Sequence, residues 1–317
     1  MEVYDVYMSI GWACRPAHQL RINGLRDEAF PLDWQKDYSL DTVIHLFETD
    51  FVDFFKNIKE EGIGDENSRR VIDIDNHIIS LHHFPRMLSI EEGQKSFLET
   101  MKRRYRNQKE RLQNAKKILL LSNRLDNIES LENFLIRFSN MFPDKEIRLL
   151  NIRDECELAP GEIKETNKSI NKNLEIVYYK VNDSCDEDGK EYDWKGNARA
   201  WNEVLKSYGN PRVYNIIQEY KTIGKPIIIF GAGQMCRTML NVFKKYGFRP
   251  DGIAVSELKG NPKEIEGVSV KEIDSIDKDS TILISLKNNK DASEIKSQLI
   301  VKGYKRISLL ENAFLMR

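Results

Sequence analysis

"VYDVYMSIGWACRPAHQL", residues 3–20, reads as a strand that turns directly into a helix. Its first half is apolar, β-branched and aromatic, the pattern of a buried strand. Pro16 suits a helix first turn, where a missing N–H costs nothing, so residues 16–25 read as a short helix. Cys14 stands between the two, beside the helix N-terminus. There the dipole, the orphan N–H groups and the neighbouring Arg15 favour a thiolate. A cysteine after a strand is equally a small apolar residue filling a corner, and the spacing alone leaves both readings open.

Working outward, the same alternation repeats. KILLLSN (117–123), EIRLLNIR (146–153) and LEIVYYKV (174–181) read as strands, and LENFLIRFSNMF (131–142) as a helix between the first two. RRVIDID (69–75) and HIISLHHF (77–84) are shorter strand candidates. Residues 39–58 carry Val43, Ile44, Phe47, Phe51, Phe54 and Phe55 at helical spacing behind Ser39, a plausible N-cap. Residues 89–115 predict a long helix, 154–173 a polar insertion, and 193–209 a loop followed by a helix. Alternating strands and helices imply an α/β domain with a largely parallel sheet.

A second start follows the GNPR turn at 209–212. KPIIIFGAGQMCRTMLNVFKKYGF (225–248) is strand, glycine turn and helix, and residues 250–257, 280–286, 292–304 and 304–310 supply three strands and a helix. Two domains are expected: an α/β domain over 1–210 and a smaller Rossmann-like one over 222–317.

Composition narrows the function. With 40% hydrophobic and 31% charged residues the chain reads as a soluble globular protein, and Lys+Arg 49 against Asp+Glu 50 gives no global pull toward nucleic acid or an anionic membrane. No apolar run approaches the roughly 20 residues of a membrane helix. The amino-terminal residues lack a signal-peptide layout, so the cytoplasm is the expected location. Cys14, Cys156, Cys185 and Cys236 are too scattered for a disulfide framework or a structural zinc site.

A cysteine nucleophile needs a base. The histidines are His18, His45, His77, His82 and His83. The adjacent pair His82 and His83 ends a strand, where a side chain can project into a cleft. The helix over 101–111 carries Lys102, Arg103, Arg104, Arg106, Lys109 and Arg111, either a solvated face or an anion clamp. Trp194 and Trp201 read as core residues or as stacking surfaces.

Motifs in order along the chain resemble the bacterial family described as putative papain-like cysteine peptidases. Ser9, Gly11, Cys14, Ala17, Leu20, Leu25, Arg26, Pro31, Leu32, Asp33 and Trp34 carry the first; ISLHHF (79–84), MKRRYRNQ (101–108), KKILLLSNR (116–124) and DWKGNARAWNEVL (193–205) carry the rest. The resemblance spans about residues 5–207. It implies Cys14 as nucleophile and His82 as base, with Asp33 the nearest orienting acid. Where the family has aspartates this chain has His83 and Ala198, so either His83 takes part or the site is weakened. Arg26, Trp34, Trp194 and Asn197, with Arg103 and Arg104, are the candidate substrate contacts.

In the second domain, GAGQMC (231–236) sits where a dinucleotide fingerprint belongs. Gly231 allows the tight turn, Gly233 lets backbone approach a pyrophosphate, and Glu257 matches the ribose-binding acid in type and spacing. Cys236 replaces the third glycine. IEGVSV (265–270) and LIVKGYKRI (299–307) resemble the Rossmann-like domain attached to bacterial sugar acyltransferases and other surface-polysaccharide enzymes. The domain either binds a nucleotide or nucleotide-sugar or is a structural module. The expected activity is thiol-dependent hydrolysis or transfer on a small molecule or glycan. The alternatives are an inactive binding protein and a glycan transferase in which Cys14 is structural.

Overall fold

Val6–Ser9, Lys117–Ser122, Glu146–Asp154 and Leu174–Val181 pair in that order as parallel strands, and Ile163–Asn171 closes one edge antiparallel to the last. Their sequences are apolar on alternate and adjacent positions alike because both faces are covered: Ile118, Leu119, Leu120 and Leu121 are all fully buried. On one face Met8, Leu120 and Leu149 meet Val43 and Phe47 from the Leu40–Glu48 helix, Phe97 from Ile90–Asn114, and Phe134 and Phe138 from Ile128–Met141. Each helix begins at a side-chain cap. Ser39 Oγ accepts from the Thr42 N–H, Asn127 from the Ser130 N–H, and Ser89 and Glu92 form a reciprocal capping box.

This computed structural model describes residues 1–26, 28–159, 161–185, 190–286 and 289–309. The chain divides into two units: one of Val3–Leu20 with Ala29–Leu205, the other of Met1–Glu2, Arg21–Glu28 and Lys206–Arg317. The second unit therefore starts earlier than the turn composition suggests. The Pro211–Thr222 helix, capped by Asn210, buries Val213, Ile217 and Tyr220 against Ile229, Met239 and Phe243. Asn210 Nδ2 also donates to the Leu25 carbonyl and Lys245 Nζ to that of Asn23, which ties residues 21–28 to the same unit.

Two departures from the sequence pattern lie in the first unit. The helix expected over 39–58 stops at Glu48, because Asp50, Phe51 and Phe55 take left-handed φ of 54°, 57° and 52°. The apolar spacing continues, but it serves an aromatic cluster: Phe55 packs on Phe84 and Phe97, with ring centroids 6.0 and 4.8 Å away. After this turn a four-stranded antiparallel sheet forms in the order Gln35–Lys36, Ile78–Ser80, Arg69–Asp73, Ile58–Ile63. The Ile58–Ile63 strand and the Ile163–Asn171 strand are almost wholly exposed edges, so their sequences are polar and charged.

In the second unit, Val268–Glu272, Gly252–Val255, Ile227–Phe230, Thr281–Ile284 and Arg306–Leu309 lie parallel in that order, with Glu264–Ile265 antiparallel at one edge. The order reverses at Ile227–Phe230, the doubly wound arrangement. Residues 310–317, the end of the expected domain, lie outside the described residues. Among the described residues no helix is long and apolar enough to cross a membrane.

Candidate active site

Parallel strands deliver their following residues to one edge of a sheet, and in the first unit that edge collects the polar groups. Gly11 to Cys14 follow Val6–Ser9, Asn123 and Arg124 follow Lys117–Ser122, and Asn182 and Asp183 follow Leu174–Val181. Such carboxyl ends are where ligands bind in open α/β sheets. The Cys14 carbonyl accepts the first helical bond from the His18 N–H, so Cys14 heads the Arg15–Ile22 helix.

Cys14 Sγ lies 3.7 Å from His82 Nε2, and His82 Nδ1 lies 2.9 Å from Asp65 Oδ2. A carboxylate has no proton to give, so His82 Nδ1–H donates to Asp65, and the Nε2 lone pair is left for the thiol. Burial raises the Asp65 carboxyl, but hydrogen bonds from His82, the Asn67 N–H and Ser68 outweigh it and hold the group below its ordinary value. The thiol does not follow the helix-dipole expectation. Burial pushes Cys14 up to about 11, and its own N–H and Lys36 pull back only in part. The resting site holds a neutral thiol beside a positioned base.

A cavity of about 380 Å³ opens on the pair, lined also by Trp12, Lys36, Asn123 and Trp194. Trp12 and Trp194 are 40% and 51% exposed, a large indole surface to leave in water beside a reactive group. Trp34 packs edge-on to the His82 ring at 6.3 Å. Arg15, at the base of the cavity, donates to Asp183 Oδ2 and to the Trp194 carbonyl.

The other expected site residues have different surroundings. His83 turns from the thiol, with Nδ1 3.0 Å from Ser80 Oγ; burial, reinforced by Arg104 and His82, drives its imidazole down to about 3. Asp33, expected as the orienting acid, is buried and accepts the Phe30 N–H at 2.8 Å, which shapes the 30–33 turn, while Asp65 occupies the place beside His82. Asn197 caps the Ala198–Leu205 helix by accepting the Ala200 N–H and donates to the Asn182 carbonyl. Arg26 is buried and belongs to the other unit. Arg103 is exposed on the Ile90–Asn114 helix, and Arg104 stands beside His83; neither lines the Cys14 cavity. Of the candidate substrate contacts, only Trp34 and Trp194 are at the site. Sequence reasoning missed Trp12, Lys36, Asp65 and Asn123. Asn123 alone had a signal, the polar residue ending a buried strand.

In the second unit Gly231 has φ 108° directly after the central strand, and Gly233 heads the Gln234–Lys245 helix. Glu257 is exposed, its carbonyl accepting from Asn261 Nδ2. Cys236 is fully buried in that unit's core. Among the described residues no group of three or more His, Cys, Asp or Glu could hold a metal ion.

The loop that carries Asp65 is held by backbone to the segment that follows Ile78–Ser80 and carries His82: the Asp65 N–H donates to the Leu81 carbonyl at 3.0 Å. A Cβ on Gly64 would overlap that carbonyl oxygen and the Arg69 carbonyl, neither of which can yield as a side chain does. Gly64→Ala is expected to cost at least about 2 kcal/mol and to part Asp65 from His82. Thermal denaturation and the rate of Cys14 acylation measure the two effects.

A family model described as "Putative papain-like cysteine peptidase (DUF1796)" matches residues 5–176. The matched span holds Cys14, Asp65, His82 and Asn123 and stops short of the Trp194–Trp201 motif. No curated protein and no solved structure matches the chain.

Proposed function

We propose that this chain, which belongs to that papain-like cysteine peptidase family, is a thiol-dependent hydrolase or acyl transferase with Cys14 as nucleophile, His82 as general base and Asp65 as the group that orients the imidazole. The observation that carries the reading is the run from Asp65 Oδ2 through His82 to Cys14 Sγ, opening on one cavity. Because the resting thiol is neutral, its proton passes to His82 Nε2 as the Sγ–carbon bond forms and the carbonyl π pair moves to oxygen. Collapse of that adduct breaks the bond to the leaving group, which takes the proton back from His82. The thioester on Cys14 then passes its acyl group to water, or to an amine or alcohol acceptor, and the acceptor's proton returns through His82.

p-Nitrophenyl acetate, a small activated ester, tests this directly. It is expected to acetylate Cys14 in preference to Cys156, Cys185 and Cys236, as read by peptide mass. Equal, slow acetylation of all four overturns the reading.

We further propose a nucleotide or nucleotide-sugar ligand for the second unit, and with it a role in surface-polysaccharide or glycan metabolism. What favours it is Gly231 in the left-handed region at the strand where the sheet order reverses, ahead of a helix N-terminus. NAD or a UDP-sugar at 100 times its Kd is expected to stabilise the protein by about 2.7 kcal/mol. Silence across such a thermal-shift panel assigns the unit a structural role. Binding there without acetylation of Cys14 would favour the inactive binding protein.

A further inference from the structure

We propose that Asn123 is a catalytic residue of this site, its carboxamide N–H donating a hydrogen bond to the oxyanion that forms when Cys14 adds to a carbonyl. The proposal rests on the nucleophile reading above and adds the group that receives the charge.

Asn123 lines the Cys14 cavity and is only 9% exposed. Its Oδ1 is buried without a hydrogen-bond partner, and its side chain bonds to no described residue. That is unlike the other buried asparagines nearby. Asn151 donates to the Arg124 carbonyl, Asn182 to that of Leu158, and Asn197 to that of Asn182. An asparagine kept for structure alone would have its NH₂ bonded as theirs is; here the NH₂ has no acceptor among the described residues and, unlike Oδ1, is not sealed from solvent.

The unpaired amide is nonetheless held in place. Arg124 N–H donates to Asn151 Oδ1 at 3.0 Å, and Asn151 returns a bond to the Arg124 carbonyl at 3.1 Å. The Arg124 guanidinium donates to the carbonyls of Ile10 at 2.8 Å and Tyr38 at 2.6 Å, which anchors the strand end leading to Cys14. Asn123 Oδ1 would lie 2.7 Å from a Cβ on Gly11, so only glycine there leaves room for the carboxamide. A rigid donor, unspent on protein, beside a nucleophile and its base is the arrangement that stabilises developing negative charge without reorganisation.

In the step itself the Sγ–carbon bond forms, the carbonyl π pair goes to oxygen, the Sγ proton goes to His82, and Asn123 gives a hydrogen bond but no proton. Two probes separate this role from a structural one. Iodoacetamide alkylates the thiol by displacement and forms no oxyanion, whereas p-nitrophenyl acetate must form one. Asn123→Ala, and Asn123→Asp, which keeps the size but loses the NH₂, are expected to lower the ratio of Cys14 acetylation to alkylation by about 10²–10³-fold. An unchanged ratio, with both reactions at wild-type rate or slowed together, overturns the role of Asn123 and leaves the nucleophile in place. Alkylation of wild-type Cys14 without acetylation overturns the nucleophile reading, and Asn123 falls with it.

Discussion

Replacing Cys14 with Ala should abolish acetylation at the site, and replacing His82 with Ala should slow it by about 10²–10⁴-fold, the contribution of a positioned base. The pH dependence identifies why the base matters. Burial pushes the Cys14 thiol up to about 11, so direct alkylation, which needs thiolate, should climb about tenfold per pH unit from neutral pH to beyond pH 9 without a plateau. Acetylation by the wild-type protein, in which His82 takes the proton during attack, should not share that climb. In His82→Ala the two profiles should run parallel. A wild-type alkylation plateau at neutral pH would mean a preformed thiolate–imidazolium pair and would overturn the neutral-thiol mechanism. Mass mapping of Cys14 at each pH makes the measurement.

That result would also bear on the two acids that the sequence resemblance implies. The sequence resemblance implies aspartates at the positions of His83 and Ala198, and their replacement would weaken the site. The geometry supplies an acid from elsewhere: Asp65 reaches His82 from a hairpin loop 17 residues upstream. No local pattern marks Asp65. Its loop follows Ile58–Ile63, a strand whose IKEEGI sequence has no apolar alternation because it is an exposed edge, and the contact depends on backbone bonds between distant residues, Asp65 to Leu81, Arg69 to Phe84 and Arg86 to Asn67. Asp33 is nearer to Cys14 in sequence, but its Oδ2 accepts from the Phe30 N–H of its own turn while Asp65 takes the place beside His82.

What was legible follows from what was buried. The parallel strands announce themselves because burial on two faces demands unbroken apolar runs, and Leu174–Val181 has the bounds its sequence implies. Edge strands carry no such demand. The histidine pair shows the limit at single-residue scale. Neighbouring residues past a strand end face different ways, and only the fold determines that His82 meets the thiol while His83 turns to Ser80. The basic helix was read by charge, yet its members have separate surroundings: Lys109 pairs with Asp50, Arg104 stands by His83, and Arg103 is exposed. Charge counts a group without locating its head.

Asp183 carries the largest expected loss of stability in the unit that holds the site. Its side chain is 1% exposed. Oδ1 accepts from the Asn197 N–H at 2.6 Å and Trp201 Nε1 at 3.0 Å, and Oδ2 accepts from Arg15 at 2.5 Å. One carboxylate thus ties the helix behind Cys14 to the Ala198–Leu205 helix and the fully buried Trp201. A Cβ on Gly196 would overlap it, so the 193–197 turn is shaped to fit. Asp183→Ala leaves two N–H groups and a guanidinium without their acceptor. Losing one partner of a buried ion pair costs about 3–5 kcal/mol, and the low end applies because the Arg15 side chain keeps 23% of its exposure. Asp183→Asn, which retains an acceptor oxygen, should lose less. Since the penalty in Asp183→Ala comes partly from stranding Arg15, adding Arg15→Ala should cost less than Arg15→Ala does alone, a non-additivity that chemical denaturation of the four proteins would measure. Strict additivity would mean that the pair carries no coupling, and that Asp183 stabilises the fold through Trp201 and Asn197 alone.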